Sequence, residues 1–86
     1  MTVEGVDSSG EPFEEKTVLM NLSAGGIYFC LAKTMRPGTK IKAFIEAANA
    51  KGSSVRLAAR GVVLRIEPWL DGTTGFAARL TRYRSF

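Results

Sequence analysis

Asn21-Leu22-Ser23-Ala24-Gly25-Gly26 is the stretch of this chain whose residue types and spacing best suit holding a small polar ligand. It lies between two strand-like runs, Thr17-Val18-Leu19-Met20 and Ile27-Tyr28-Phe29-Cys30-Leu31. On a strand, side chains alternate between faces, so Asn21 and Ser23 point one way and Leu22 the other. An amide and a hydroxyl then stand side by side with an apolar residue behind them. Gly25 and Gly26 are expected to turn the chain with positive φ and to leave backbone uncovered where a ligand could approach closely. The same residues also suit an ordinary hairpin or bulge, so the motif takes its meaning from the elements that position it.

Those elements read as strands and turns throughout. Val3 to Gly5 opens the chain, and Asp7 to Gly10 is a polar turn. Glu14 to Ser23 alternates as one strand, with Val18, Met20 and Leu22 on one face. Ile27, Phe29 and Leu31 share the buried face of the next strand, with Tyr28 and Cys30 opposite. Arg36-Pro37-Gly38 breaks the chain. From Lys40 to Glu46 the alternation is strong, with Ile41, Ala43 and Ile45 inward and Lys40, Lys42 and Glu46 outward. Glu46 to Gly52 reads as a helical turn or a loop, since it has no apolar stripe. Val55 to Glu67 is long for one strand, and Gly61 marks a bend or bulge within it. Asp71-Gly72 is a turn signal, and Phe76, Ala78 and Leu80 close the pattern. Six strands with frequent turns predict an all-β, six-stranded antiparallel barrel occupying residues 1–86 as a single domain. Closure is favoured because it removes exposed strand edges.

Composition narrows the chemistry. The chain has 86 residues, 45% of them hydrophobic, enough for one core. Its single cysteine, Cys30, excludes an intramolecular disulfide and a cysteine metal cluster, which suits a reducing compartment. There is no histidine to activate that thiol, and Glu14 and Glu15, on opposite strand faces, cannot act as a pair. Enzymatic chemistry is therefore not expected, and neither is a metal or a resident cofactor. No run approaches the length of an apolar membrane helix, and the acidic opening lacks the basic start of a signal peptide, so a cytoplasmic location is expected.

In this setting the chain resembles the PilZ domain family, small bacterial β-barrels that bind the second messenger cyclic di-GMP. Asn21, Ser23 and Gly26 match the family signature Asp/Asn-x-Ser-x-x-Gly. Gly5-Val6-Asp7 with Gly10-Glu11-Pro12-Phe13 resembles the opening strand and turn of many members. Met35-Arg36-Pro37-Gly38 followed by Lys40-Ile41, and the run from Gly61 to Glu67, are similar to its middle strands. Gly75-Phe76-Ala77-Ala78-Arg79-Leu80 is similar to its closing strand. The resemblance implies cyclic di-GMP binding at Asn21, Ser23, Gly25 and Gly26.

The family pattern also carries an Arg-x-x-x-Arg motif before the first strand, which holds the ligand phosphates. Met1-Thr2-Val3 already falls within that strand, and the one occurrence of the spacing, Arg56 and Arg60, lies in a later strand and reads as a solvated face. Hydrogen bonds to charged groups contribute about 1.5–3 kcal/mol each, so two missing arginines remove about 3–6 kcal/mol, or two to four decades of affinity. The expectation is weak or absent binding unless other cations substitute.

Charge is unevenly spread. Residues 1–15 carry five acids and no base, whereas the whole chain has 12 bases and 8 acids and a net charge of +4. Arg65, Arg79, Arg82 and Arg84 fall late and are the candidate substitutes, and Trp69 could stack on a base. Three function classes follow. The first is a cyclic di-GMP sensor. The second is a nucleotide-independent PilZ-like adaptor acting through protein contacts. The third is a small barrel binding nucleic acid, suggested by Arg79-Leu80-Thr81-Arg82-Tyr83-Arg84 and disfavoured by the mild overall charge excess.

Overall fold

The computed structural model describes residues 1–48 and 52–85, with side chains of 47 and 48 excepted. Seven strands form one antiparallel sheet: β1 (Thr2–Val6), β2 (Pro12–Lys16), β3 (Leu19–Leu22), β4 (Gly26–Leu31), β5 (Lys40–Ala48), β6 (Ser54–Pro68) and β7 (Thr74–Ser85). Their order across the sheet is β2-β1-β5-β6-β7-β4-β3, and the sheet curls into a half-barrel without any helix among the described residues. The all-β antiparallel architecture is the one that the alternation predicts.

The seventh strand arises because residues 14–23 divide into β2 and β3. These two consecutive strands occupy opposite ends of the sheet, and the chain crosses from one to the other through Thr17 and Val18. No ladder joins the two ends. Thr17 instead fastens the seam: its N–H donates to the Met1 carbonyl (2.8 Å). The amino terminus donates to the Thr17 carbonyl (3.1 Å), and the Thr17 hydroxyl donates to the Cys30 carbonyl of β4 (2.6 Å).

The concave face holds the core. Ile27, Phe29 and Leu31 of β4 and Ile41, Ala43 and Ile45 of β5 are all buried, following the period of two. Phe29 lies directly opposite Phe76 of β7, and their rings stack with centroids 5.6 Å apart. Met35, from the loop between β4 and β5, is also fully buried and closes one end. The expected irregularity at Gly61 is a register shift between Arg60 and Gly61 against β7. A second shift, between Val63 and Arg65, lets the long β6 bend around the core while pairing with both β5 and β7.

One face assignment is corrected. Val18, Met20 and Leu22 do not share a side, because β3 carries a bulge: Leu19 opposes Phe29 and Asn21 opposes Tyr28, leaving Met20 as an extra residue. The bulge resets the alternation, so Leu19 packs on the core while Val18 and Met20 are exposed. The segment 46–52 continues as strand through Ala48; the rest of that reading falls largely on residues outside those described.

Candidate functional site

The turn from β3 to β4 is built from its own polar atoms. The Ser23 N–H donates to the Gly26 carbonyl (3.0 Å), with the Ser23 hydroxyl at 3.4 Å from the same oxygen. The Leu80 N–H donates to the Gly25 carbonyl (2.9 Å), docking the turn onto β7. Gly26 stands opposite Arg79, and Tyr28 opposite Ala77. The outer side of this junction is an open groove of about 610 Å³, within the range of small-molecule sites.

All four sequence-derived candidates border that groove. Asn21, Ser23 and Gly25 are exposed and Gly26 is half-buried, so neither polar side chain is lost to the interior. The Asn21 amide makes no hydrogen bond among the described residues, leaving both its donor and its acceptor for a ligand. Leu22 lies on the other side, in a depression shared with Ile45, Leu57 and Leu80. Ser23 borders both this depression and the groove, so of the two polar residues only Asn21 is confined to the groove side.

The expected turn chemistry of the glycines is corrected. Positive φ occurs among the described glycines at Gly10, Gly38, Gly52 and Gly72, and at neither Gly25 nor Gly26. Gly26 is instead a close-approach position: a Cβ there would lie 2.8 Å from the Ala78 carbonyl oxygen of β7. A Cβ on Gly25 would meet nothing within 4 Å. The absent side chains therefore do different things, one letting two backbones meet and the other keeping the groove open.

Of the four late arginines, Arg65 and Arg79 reach the groove and Arg82 and Arg84 do not. Arg79 has no acidic partner among the described residues, whereas the Arg65 Nε–H donates to Glu67 Oε1 (2.9 Å) and keeps its terminal nitrogens available. No acid lines the groove itself, and Glu67 stands just behind it on Arg65 and Tyr28. Arg56 lies elsewhere, 3.7 Å from Glu46, and Arg60 is exposed on another part of the sheet.

A side-chain relay supports the groove, and it was not visible in the sequence. The Trp69 indole N–H donates to the Tyr28 oxygen (3.2 Å), and the Tyr28 hydroxyl donates to Glu67 Oε2 (3.2 Å). Trp69 thus buttresses Tyr28, which lines the groove, and does not line it itself. A Cβ on Gly75 would collide with the Tyr28 hydroxyl, so that glycine leaves the space in which the tyrosine sits. Cys30 lies beside this cluster, 3.4 Å from the Met20 sulfur. Desolvation pushes its thiol pKa up, with Asp71 and Glu67 adding to the effect, which keeps it protonated.

Among the described residues no helix is long and apolar enough to cross a membrane, and no cluster of side chains is suited to a metal ion. No protein-family model, curated protein or solved structure matches the chain.

Proposed function

We propose that the groove between the β3–β4 turn and strands β6 and β7 binds cyclic di-GMP, and that the protein is a PilZ-type signalling domain. The observation that carries this reading is the gathering of Asn21, Ser23, Gly25 and Gly26 with Arg65 and Arg79 around one acid-free opening. Asn21 offers a donor and an acceptor to a guanine edge, and Arg79, free of any carboxylate among the described residues, offers bidentate hydrogen bonds to phosphate. Arg65 adds a second cation held in place by Glu67. Binding would tie the β3–β4 turn, already docked on β7, to the arginines of β6 and β7 and shift the equilibrium of whatever contacts that edge.

Calorimetric titration with cyclic di-GMP tests this. Arg79→Ala is expected to weaken binding about 10- to 150-fold, the equivalent of one charge-assisted hydrogen-bonded contact. Asn21→Ala and Ser23→Ala are expected to weaken it less. Binding that survives all three substitutions unchanged overturns the site.

The second reading, a nucleotide-independent adaptor, is supported by the exposed apolar side chains Val18 and Met20 at the open β3 edge. It is the reading left if the folded protein produces no heat with cyclic di-GMP at millimolar concentration.

A further inference from the structure

On the convex side of the sheet, away from the groove, Lys42 of β5 stands directly opposite Arg60 of β6, and Arg60 directly opposite Arg82 of β7. Adjacent strands are about 4.8 Å apart, so three cations line up in one transverse row. Like charges in direct cross-strand register are destabilising. Glu4 of β1 follows Lys42 in the same row, yet forms no ion pair with it, and among the described residues no carboxylate pairs with Arg60 or Arg82. Arg84 joins them two residues further along β7 on the same face, opposite the small Ala58.

One aromatic ring lies among these cations. Phe44, two residues beyond Lys42 on the same face, is 40% exposed. With Lys42, Arg60, Arg82 and Arg84 it lines one acid-free depression, whereas Tyr83, opposite the buried Ala59, turns to the other face. Ala58, opposite both Phe44 and Arg84, leaves room above the Phe44 ring.

We propose that this face binds single-stranded nucleic acid, with a base stacked on Phe44 and phosphates held by Lys42, Arg60, Arg82 and Arg84. An exposed ring set among cations in a depression suits a flat unpaired base with its backbone at the rim. A bilayer would instead require apolar groups that project beyond the charges. The relief of repulsion within the cation row adds to binding of any polyanion; the exposed Phe44 ring is what favours an unpaired base. The surface is separate from the groove, so the proposal does not depend on cyclic di-GMP recognition.

Fluorescence anisotropy of a short labelled oligothymidylate, titrated with the whole protein, tests it. Four phosphate contacts to a single strand predict that log K falls by about 2.8 per tenfold rise in salt, a weakening of about 50-fold between about 50 and 200 mM. Arg60→Gln with Arg82→Gln is expected to lower that slope by about 1.4. Phe44→Thr is expected to weaken oligothymidylate binding about tenfold with the slope unchanged, and to leave heparin binding unchanged. Circular dichroism melts establish that each variant is folded. Absence of binding at about 50 mM salt overturns the proposal. So does insensitivity of oligothymidylate to Phe44→Thr, or tighter competition by a duplex or by anionic phosphatidylglycerol vesicles.

Discussion

Gly25 and Gly26 are neighbours of identical type, and the structure predicts that they respond to alanine in opposite ways. At Gly26 the new Cβ would stand 2.8 Å from the Ala78 carbonyl oxygen, a backbone atom that cannot swing aside. Relief requires β4 to move away from β7, where Gly26 pairs with Arg79 and Ile27 with Ala78. Forcing a methyl into such a contact costs about 1–3 kcal/mol. For a domain of this size each kcal/mol corresponds to about 4–8 °C, so Gly26→Ala should lower the Tm by about 4–24 °C. At Gly25 the Cβ would enter open space and φ is not positive, so the substitution needs no rearrangement. Its effect should be within about 1 kcal/mol, and a narrower unfolded ensemble makes it neutral to slightly stabilising. Thermal melts of the two variants, followed by circular dichroism, make the comparison. Equal loss of stability in both, or an unchanged Tm for Gly26→Ala, refutes the assignment of Gly26 as the point where β4 and β7 backbones touch.

Two further outcomes are expected. Asp7 accepts bonds from the Ser9 hydroxyl and the Glu11 and Ser9 N–H groups, and Asp71 from the Thr73 hydroxyl and N–H, which holds both carboxyls below their ordinary pKa. Because the folded-state pKa is depressed, this stabilisation is present above the ordinary carboxylate range and is lost as pH falls through it. Melts toward about pH 2 should show that loss, and Asp71→Asn should make it shallower. Gly75→Ala should drive Tyr28 from its place, break the bond from the Trp69 indole and shift the emission of this single tryptophan. Adding Tyr28→Phe, which removes the colliding hydroxyl, should restore part of the lost Tm; no restoration would mean that the clash lies elsewhere.

Features set by local alternation were legible before the structure. The inward faces of β4 and β5, the irregularity at Gly61 and the placement of Asn21 away from Leu22 all follow from a period of two and the punctuation of glycine. What was not legible depends on partners distant in sequence. The bulge at Met20 exists only relative to the pairing of β3 with β4, so the run containing Val18, Met20 and Leu22 reads as one regular strand when taken alone. Gly25 and Gly26 differ only through the nearness of β7. The link from Trp69 through Tyr28 to Glu67 joins residues about forty positions apart, and no spacing rule connects them. The alignment of Lys42, Arg60 and Arg82 likewise needs the registers of three strands, whereas the sequence shows scattered charges.

The topology also dictates when the groove can exist. Its two walls come from β3–β4 and from β6–β7, and β4, paired locally with β3, finds its second neighbour only in the distant β7. On a ribosome the amino-terminal half would wait, with Phe29 uncovered, until β7 emerged. Pairings this remote slow folding, because the chain must close a long loop before any contact repays it. Recognition at the groove therefore requires a finished fold, and a small molecule seated there would stabilise the whole sheet through mass action.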